Sequence, residues 1–266
     1  MNNFTYRQVT MVEEAIDEKT GNTAFVAGGT NLLDLMKENI AKPDRLIDIN
    51  HIHQLAGIVE LEEGSIRLGA TVTNADTAWH PVIESRLPLV SKAILSGASP
   101  QLRNMATNGG NLMQRTRCYN FYDKATPCNK REPGSGCSAL YGYSRIHAIL
   151  GASEHCIATH PSDFCVALAA LDAVVEVKGS YGEREIPFED FHRLPEDKPE
   201  IDNTLRPGEI ITGIRVPPNS FCKHCSYLKI RDRTSFAFAL VSVATAFEMD
   251  GETISESKDG IGRRCT

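Results

Sequence analysis

The sequence predicts an α+β fold built as two lobes, followed by the start of an incomplete α/β third. Three observations predict it. Short helical and extended signals alternate through the first 55 residues, a 67-residue stretch at 97–163 has no sustained periodicity, and Pro217-Pro218 closes a strong strand signal before two further extended runs. A chain of 266 residues and 29.2 kDa is long enough to divide its core between lobes. With 41% hydrophobic and 23% charged residues it is neither collagen-like nor globally disordered. A formal charge of -6 gives no general attraction to nucleic acid or to an anionic membrane. No basic segment followed by an apolar core opens the chain, and no run nears the roughly 18 apolar residues of a membrane span. Neither an export signal nor membrane insertion is therefore expected, which fits the cytoplasm, or the periplasm by co-export with a signal-bearing partner.

In the first lobe, residues 1–55, a helix is expected over 12–18 and a strand over 23–27 that runs into Gly28-Gly29. Leu32, Leu33, Leu35, Met36 and Ile40 recur at helical spacing, and 46–49 reads as the next strand. Strands each followed by a helix imply crossover connections. The second lobe, residues 56–221, opens with a strand at 65–71, after which Thr73 can cap a short helix ending before Pro81. Helices at 87–95 and 164–171 and strands at 174–177 and 210–216 complete it, with Pro187, Pro195, Pro199 and Pro207 marking a surface-like segment. Residues 222–266 form the third unit, with strands at 226–230 and 237–247. No internal repeat is evident.

Ala27-Gly28-Gly29-Thr30-Asn31 lies between an apolar strand and an amphipathic helix. Glycines there let an anion approach consecutive backbone N–H groups, and Thr30 adds a hydroxyl, an arrangement suited to a dinucleotide pyrophosphate. The P-loop lysine and the three-glycine Rossmann spacing are both absent, and an ordinary turn is the competing reading. Thr107-Asn108-Gly109-Gly110-Asn111-Leu112 offers a second such surface, or a second independent turn, since Asn-Gly is itself a turn signal.

Cys118, Cys128, Cys137 and Cys156 fall in the aperiodic stretch at separations of ten, nine and nineteen. These match neither a ferredoxin run nor a zinc ribbon. Residue chemistry leaves three possibilities open: an iron-sulfur centre, a four-thiolate zinc, or two disulfides. Arg115, Arg117, Lys130 and Arg131 could offset the charge of a thiolate-bound cluster, and Pro127, Pro133, Gly134 and Gly136 give a loop able to wrap one.

These segments together resemble the FAD-binding medium subunit of molybdenum hydroxylases, the xanthine dehydrogenase and aldehyde oxidoreductase family, over roughly residues 1–250. Phe25 through Leu32 is similar to the first FAD loop, Thr107 through Leu112 to the second, and His160-Pro161-Ser162-Asp163 to a further flavin-lining segment. Gln114 through Cys118, Cys128 through Arg131, and Pro133 through Cys137, with Cys156, resemble the aldehyde-oxidoreductase branch, whose bacterial periplasmic flavoproteins carry an extra 4Fe-4S cluster. The resemblance implies the two-lobed FAD-binding fold of the vanillyl-alcohol-oxidase and molybdopterin-dehydrogenase type, with an iron-sulfur insertion around 114–160. It implies FAD held by Val26, Ala27, Gly28, Gly29, Thr30, Asn31, Leu32 and Leu33, with Thr107, Gly110, Asn111 and Gln114 around the nucleotide. Asp163 becomes a polar anchor, helix capping being its plain alternative, and Lys229 a flavin-near residue where a surface lysine is the default. The four cysteines become the ligands of the cluster.

The remaining candidates carry less. Cys222-Lys223-His224-Cys225 lacks a complete ligand set, Cys165 reads as a core residue, Trp79 as packing, and His147, His155 and His160 as groups that orient the loop. No catalytic triad or acid–base pair is evident, as befits electron transfer. The family implies a heterotrimer in which a molybdenum-cofactor large subunit oxidises an aldehyde or N-heterocycle. Electrons then pass through the 2Fe-2S clusters of a small subunit to FAD and on to an external acceptor. The extra cluster is expected to be structural and to tune the electronics, because its loop lacks other core signals. Two alternatives are a cofactor-binding component without turnover and a zinc- or disulfide-stabilised interaction domain. After Phe247 the sequence departs from the family pattern, so a truncated or frame-altered ending is expected, with strands lacking their covering helices and apolar strand surface exposed.

Overall fold

The computed structural model describes residues 1–262. Strands β1 (Thr5–Gln8), β2 (Thr23–Val26) and β3 (Arg45–Asp48) form a parallel sheet in the order β1-β3-β2, connected through helices α1 (Val12–Glu18) and α2 (Leu32–Lys37). Alternation along β3 decides which helix each face receives. Ile47 packs with Val12 and Ala15 of α1, while Leu46 packs with Met36 of α2. The sequence pattern extends α2 to Ile40, but the helix stops at Lys37. Asn39 turns left-handed with φ 55°, and the Ile40 N–H returns to the Leu35 carbonyl at 2.8 Å. β1 escapes the sequence pattern because all four of its residues are exposed.

The second sheet is antiparallel, in the order β4-β5-β8-β6-β7: β4 (Ile58–Glu60), β5 (Ile66–Gly69), β6 (Val174–Gly179), β7 (Gly182–Pro187) and β8 (Ile210–Val216). Between β5 and β6 run α3 (Asn74–Ala78), α4 (Pro81–Arg86), α5 (Pro88–Ser96), α6 (Pro100–Arg103), α7 (Asn108–Leu112), α8 (Tyr119–Tyr122) and α9 (Asp163–Ala170), and α10 (Phe188–Phe191) follows β7. Thr73 caps α3, its Oγ1 accepting the Asp76 N–H at 3.0 Å. Proline opens α4, α5 and α6, where its missing N–H costs nothing. Leu68, Val175 and Ile214 of the sheet meet Leu89 and Val90 of α5 and Phe164 and Leu168 of α9 in the main core. β7 replaces part of the expected surface segment. Ile186 is its one buried residue, too little apolar alternation to show in sequence.

The third sheet is antiparallel, in the order β11-β10-β9: β9 (Cys225–Ile230), β10 (Val241–Asp250) and β11 (Thr253–Gly262). One expectation is corrected here. The inner face does not lack helices, because α5 and α9 lie across it. A Cβ on Gly260 would stand 2.5 Å from the Val166 carbonyl oxygen. The stretch after Phe247 also remains ordered into strand, continuing β10 and forming all of β11; residues 263–266 lie outside the described residues. β10 starts at Val241, and 237–240 instead turn toward the cavity described below. The outer face does expose Leu228, Ile230 and Ile261, with Val243 registered between Leu228 and Ile261. Replacing Leu228 and Ile261 by lysine is expected to raise several-fold the concentration at which light scattering detects association, without changing cofactor content.

Candidate cofactor site

The two glycine loops meet. A Cβ on Gly28 would lie 1.7 Å from the Met105 carbonyl oxygen, so the first loop is in backbone contact with the segment entering the second. Gly29 follows with φ 70°, a left-handed conformation that glycine adopts without strain. In the second loop Thr107 caps α7, its Oγ1 accepting the Gly110 N–H at 3.2 Å. Asn108 is fully buried and structural: its amide donates to the Gly69 carbonyl at 3.2 Å and accepts from Thr77 at 3.0 Å. Asn111 donates to Asn74 at 2.7 Å and accepts from Gln114 at 2.8 Å and Ser162 at 2.6 Å. The second loop is therefore fixed by a polar network, in which sequence reasoning missed Asn74 and read Asn108 only as part of the loop.

Both loops border a cavity of about 590 Å³. Of the expected FAD residues, Thr30, Asn31, Gly110, Asn111, Gln114, Asp163 and Lys229 line it. Val26, Ala27, Gly28, Gly29, Leu32, Leu33 and Thr107 do not. Val26 and Leu32 pack with Met36, and Gly28 is occupied by backbone packing. Arg103 and Phe238 also line the cavity and gave no sequence signal, and Arg117, expected beside the cysteines, lines it too. The residues present fit a phosphate-bearing flavin nucleotide. The buried Arg117 Nε–H has no hydrogen-bond partner among the described residues, and a Cβ on Gly110 would meet only Thr107 Oγ1, which leaves that backbone open to the cavity.

Asp163 accepts from the Tyr227 hydroxyl at 2.6 Å and from Lys229 Nζ at 2.7 Å. Neither plain alternative fits this geometry. Ser162 is the N-cap of α9, accepting the Cys165 N–H at 3.0 Å, and the Lys229 side chain is only 4% exposed. Burial, with the Asp163 charge beside it, drives the Tyr227 hydroxyl far above its ordinary pKa and keeps it a donor.

The four cysteines share one cluster with Leu35, Phe121, Ala139 and Ala158, and Cys128 and Cys137 face each other across an antiparallel bridge. Cys118, Cys128 and Cys137 are free thiols, so no two of the four form a disulfide with each other. Burial pushes the Cys118 thiol up and the Cys156 thiol up to about 11, so binding a metal would have to displace their protons. A single zinc draws its thiolates to about 2.3 Å from one centre. Among the described residues the group with donor atoms gathered within 4.8 Å is His160, Cys165 and His192, not the four cysteines.

That histidine group has another use. His160 and His192 both direct Nε2 at the Leu112 carbonyl, at 3.2 and 2.9 Å, with rings 4.2 Å apart. Burial pulls both imidazoles below their usual pKa, and a neutral ring donating from Nε2 satisfies that carbonyl, so the pair pins the end of the second loop. Burial pushes Cys165 up to about 12 within the core, as expected for a packing thiol. Of the three histidines expected to orient the cysteine loop, His147 touches a cysteine, with Nε2 3.1 Å from Cys118 Sγ. His155 contributes its carbonyl, which accepts from Asn129 at 3.0 Å. Trp79 is corrected: it ends α3 at 60% exposure and is not a packing residue. His224 stacks on Phe247 and Cys222 is exposed, giving no ligand set among the described residues.

Asn31 joins the cavity to the cysteine loop. Its Oδ1 accepts the Arg115 N–H at 2.8 Å, and its amide donates to the Tyr122 hydroxyl at 3.4 Å. Asn31→Ala leaves that N–H unsatisfied, at a cost of about 1–3 kcal/mol. The expected outcome is a lower thermal midpoint together with weaker flavin retention, read by melting and by absorbance after gel filtration.

Comparisons with known proteins agree with this geometry. The family described as the FAD binding domain in molybdopterin dehydrogenase matches residues 2–219. The chain is 51% identical over 254 residues to the aldehyde oxidoreductase FAD-binding subunit PaoB of Escherichia coli K12, covering 94% of this chain and 79% of that protein. It is 38% identical over 256 residues to the carbon monoxide dehydrogenase medium chain of Hydrogenophaga pseudoflava, covering 95% and 71%. A solved carbon monoxide dehydrogenase from that organism superposes with a TM-score of 0.72 at 24% identity, over 98% of this chain and 75% of the other. Quinoline 2-oxidoreductase from Pseudomonas putida 86 gives 0.71 at 21% identity, over 98% and 74%.

Proposed function

Because the chain belongs to the family of FAD-binding domains in molybdopterin dehydrogenases, and so is the FAD-binding electron-transfer subunit of a molybdenum-hydroxylase-type oxidoreductase, we propose that it serves an aldehyde oxidoreductase and carries a 4Fe-4S cluster. The observation that carries this reading is the adjacency of the cavity and the cysteine quartet, bridged by Asn31 and lined in common by Cys118. FAD, when bound, takes up and releases electrons one or two at a time, the exchange such a subunit needs.

The chain's own residues supply binding and position. Thr30 and Arg117 present donors toward an anionic group, Gly110 leaves room for it to approach, and Asp163, locked by Tyr227 and Lys229, offers its remaining lone pairs to polar groups of the cofactor. Phe238 and Ile94 supply apolar wall. Cys118, Cys128, Cys137 and Cys156 would hold the cluster. We assign the flavin to units 1–55 and 56–221, the cluster to the insertion around 114–160, and 222–266 to a covering unit. Partners are a 2Fe-2S small subunit, as electron donor, and a molybdenum-cofactor large subunit, with an external acceptor taking the electrons. No helix among the described residues is long and apolar enough to cross a membrane.

The test is anaerobic mixing of the purified chain with those two subunits and an aldehyde. Flavin absorbance is expected to bleach only when all three are present and to return on adding an acceptor. A chain that retains FAD but is never reduced by the loaded partners would contradict the electron-transfer assignment.

A further inference from the structure

Lys130 lies between two of the quartet cysteines in sequence, yet its side chain is 1% exposed, and it is among the largest fully buried side chains of the protein. Burying an ammonium costs several kcal/mol unless partners meet it. One partner is Asp202, from the loop between α10 and β8, whose Oδ1 takes the Lys130 ammonium. The other oxygen of Asp202 accepts from Arg115 Nε at 2.6 Å. Arg115 also covers the ring of Phe121, a member of the thiol cluster, with its guanidinium carbon 4.8 Å from the centroid. Two cations thus share one carboxylate beside the thiol cluster, in which Cys118, Cys128 and Cys156 are buried and Cys137 is half-buried.

We propose that Lys130, balanced by Asp202, is the electrostatic positioning residue that sets the reduction potential of the cluster held by Cys118, Cys128, Cys137 and Cys156. This rests on the cluster reading above. Four thiolates around a cubane carry net negative charge, and reduction adds one electron and one further negative charge without breaking a bond. A buried cation favours the reduced form, and at low effective dielectric the preference is large. The Lys130 and Asp202 variants separate charge from structure. Lys130→Met leaves Asp202 paired with Arg115, so the local charge falls by one. Asp202→Asn, nearly isosteric, leaves both cations, so the local charge rises by one.

The experiment is an anaerobic redox titration of the assembled complex, followed by paramagnetic resonance of the reduced cluster, with iron and sulfide assayed in each sample. Lys130→Met is expected to lower the reduced-to-oxidised ratio at a fixed potential at least tenfold, which for a one-electron couple is 59 mV. Asp202→Asn is expected to move the midpoint the other way. Midpoints unmoved, or moved in the same direction, in variants that keep wild-type iron and sulfide would overturn the inference. If Lys130→Met fails to hold iron, the direction of the Asp202→Asn shift alone decides. Absence of iron and sulfide from the wild type would instead remove the cluster reading itself.

Discussion

Gly28→Ala yields a chain that no longer retains flavin and melts well below the wild type. The added Cβ would stand 1.7 Å from the Met105 carbonyl oxygen and 2.6 Å from its carbonyl carbon, far inside any real contact. Both obstacles are backbone, so no side chain can rotate away, and the two loops must separate. Overpacking of this kind costs about 1–3 kcal/mol and sometimes more. The separation would move Thr30 and Gly110 apart, two residues that line the cavity from opposite loops. Gly110→Ala provides the contrast. Its Cβ would meet only Thr107 Oγ1, at 2.9 Å, while projecting into the proposed cradle. It should lose flavin with little change in melting temperature. Absorbance of the purified variants and thermal melts distinguish the two cases.

Cys118→Ser and Cys156→Ser should each empty the quartet of iron and loosen the loop around it. The apolar residues there are few: Phe121, Ala139 and Ala158, with Leu35 contributed by α2. Loss of a metal that replaces a core belongs to the severe class of single substitutions, about 4 kcal/mol or more. Limited proteolysis should then cut within 119–160 while the five-stranded sheet survives, since its core is separate. Cys165→Ala is the control: that thiol packs in the main core, and its loss should leave the iron content unchanged.

Much of this was legible in the sequence where one local signal suffices. The Thr73 cap, the α5 and α9 helices and the β8 strand each rest on apolar spacing or a capping hydroxyl, and each is found. β1, β7 and β11 were not legible, because a polar strand earns its conformation from the neighbour it pairs with. Thr5–Gln8 is fully exposed yet pairs residue for residue with β3. The cavity was half legible. Glycine loops announce themselves through Gly-Gly, whereas Arg103, Arg117 and Phe238 arrive from three separate segments that only the tertiary fold brings together. Lys130 was read as a charge near the cysteines, but its burial was not legible, since no periodicity marks a lysine paired with a carboxylate 72 positions away.

The most direct measurement is quantification of flavin, iron and acid-labile sulfide in chain purified without oxygen, together with its absorption and paramagnetic resonance spectra. The account predicts one FAD and about four irons and four sulfides per chain, with a cubane signal after dithionite reduction. Zinc without sulfide, or a colourless chain that takes up neither group on reconstitution, would contradict it.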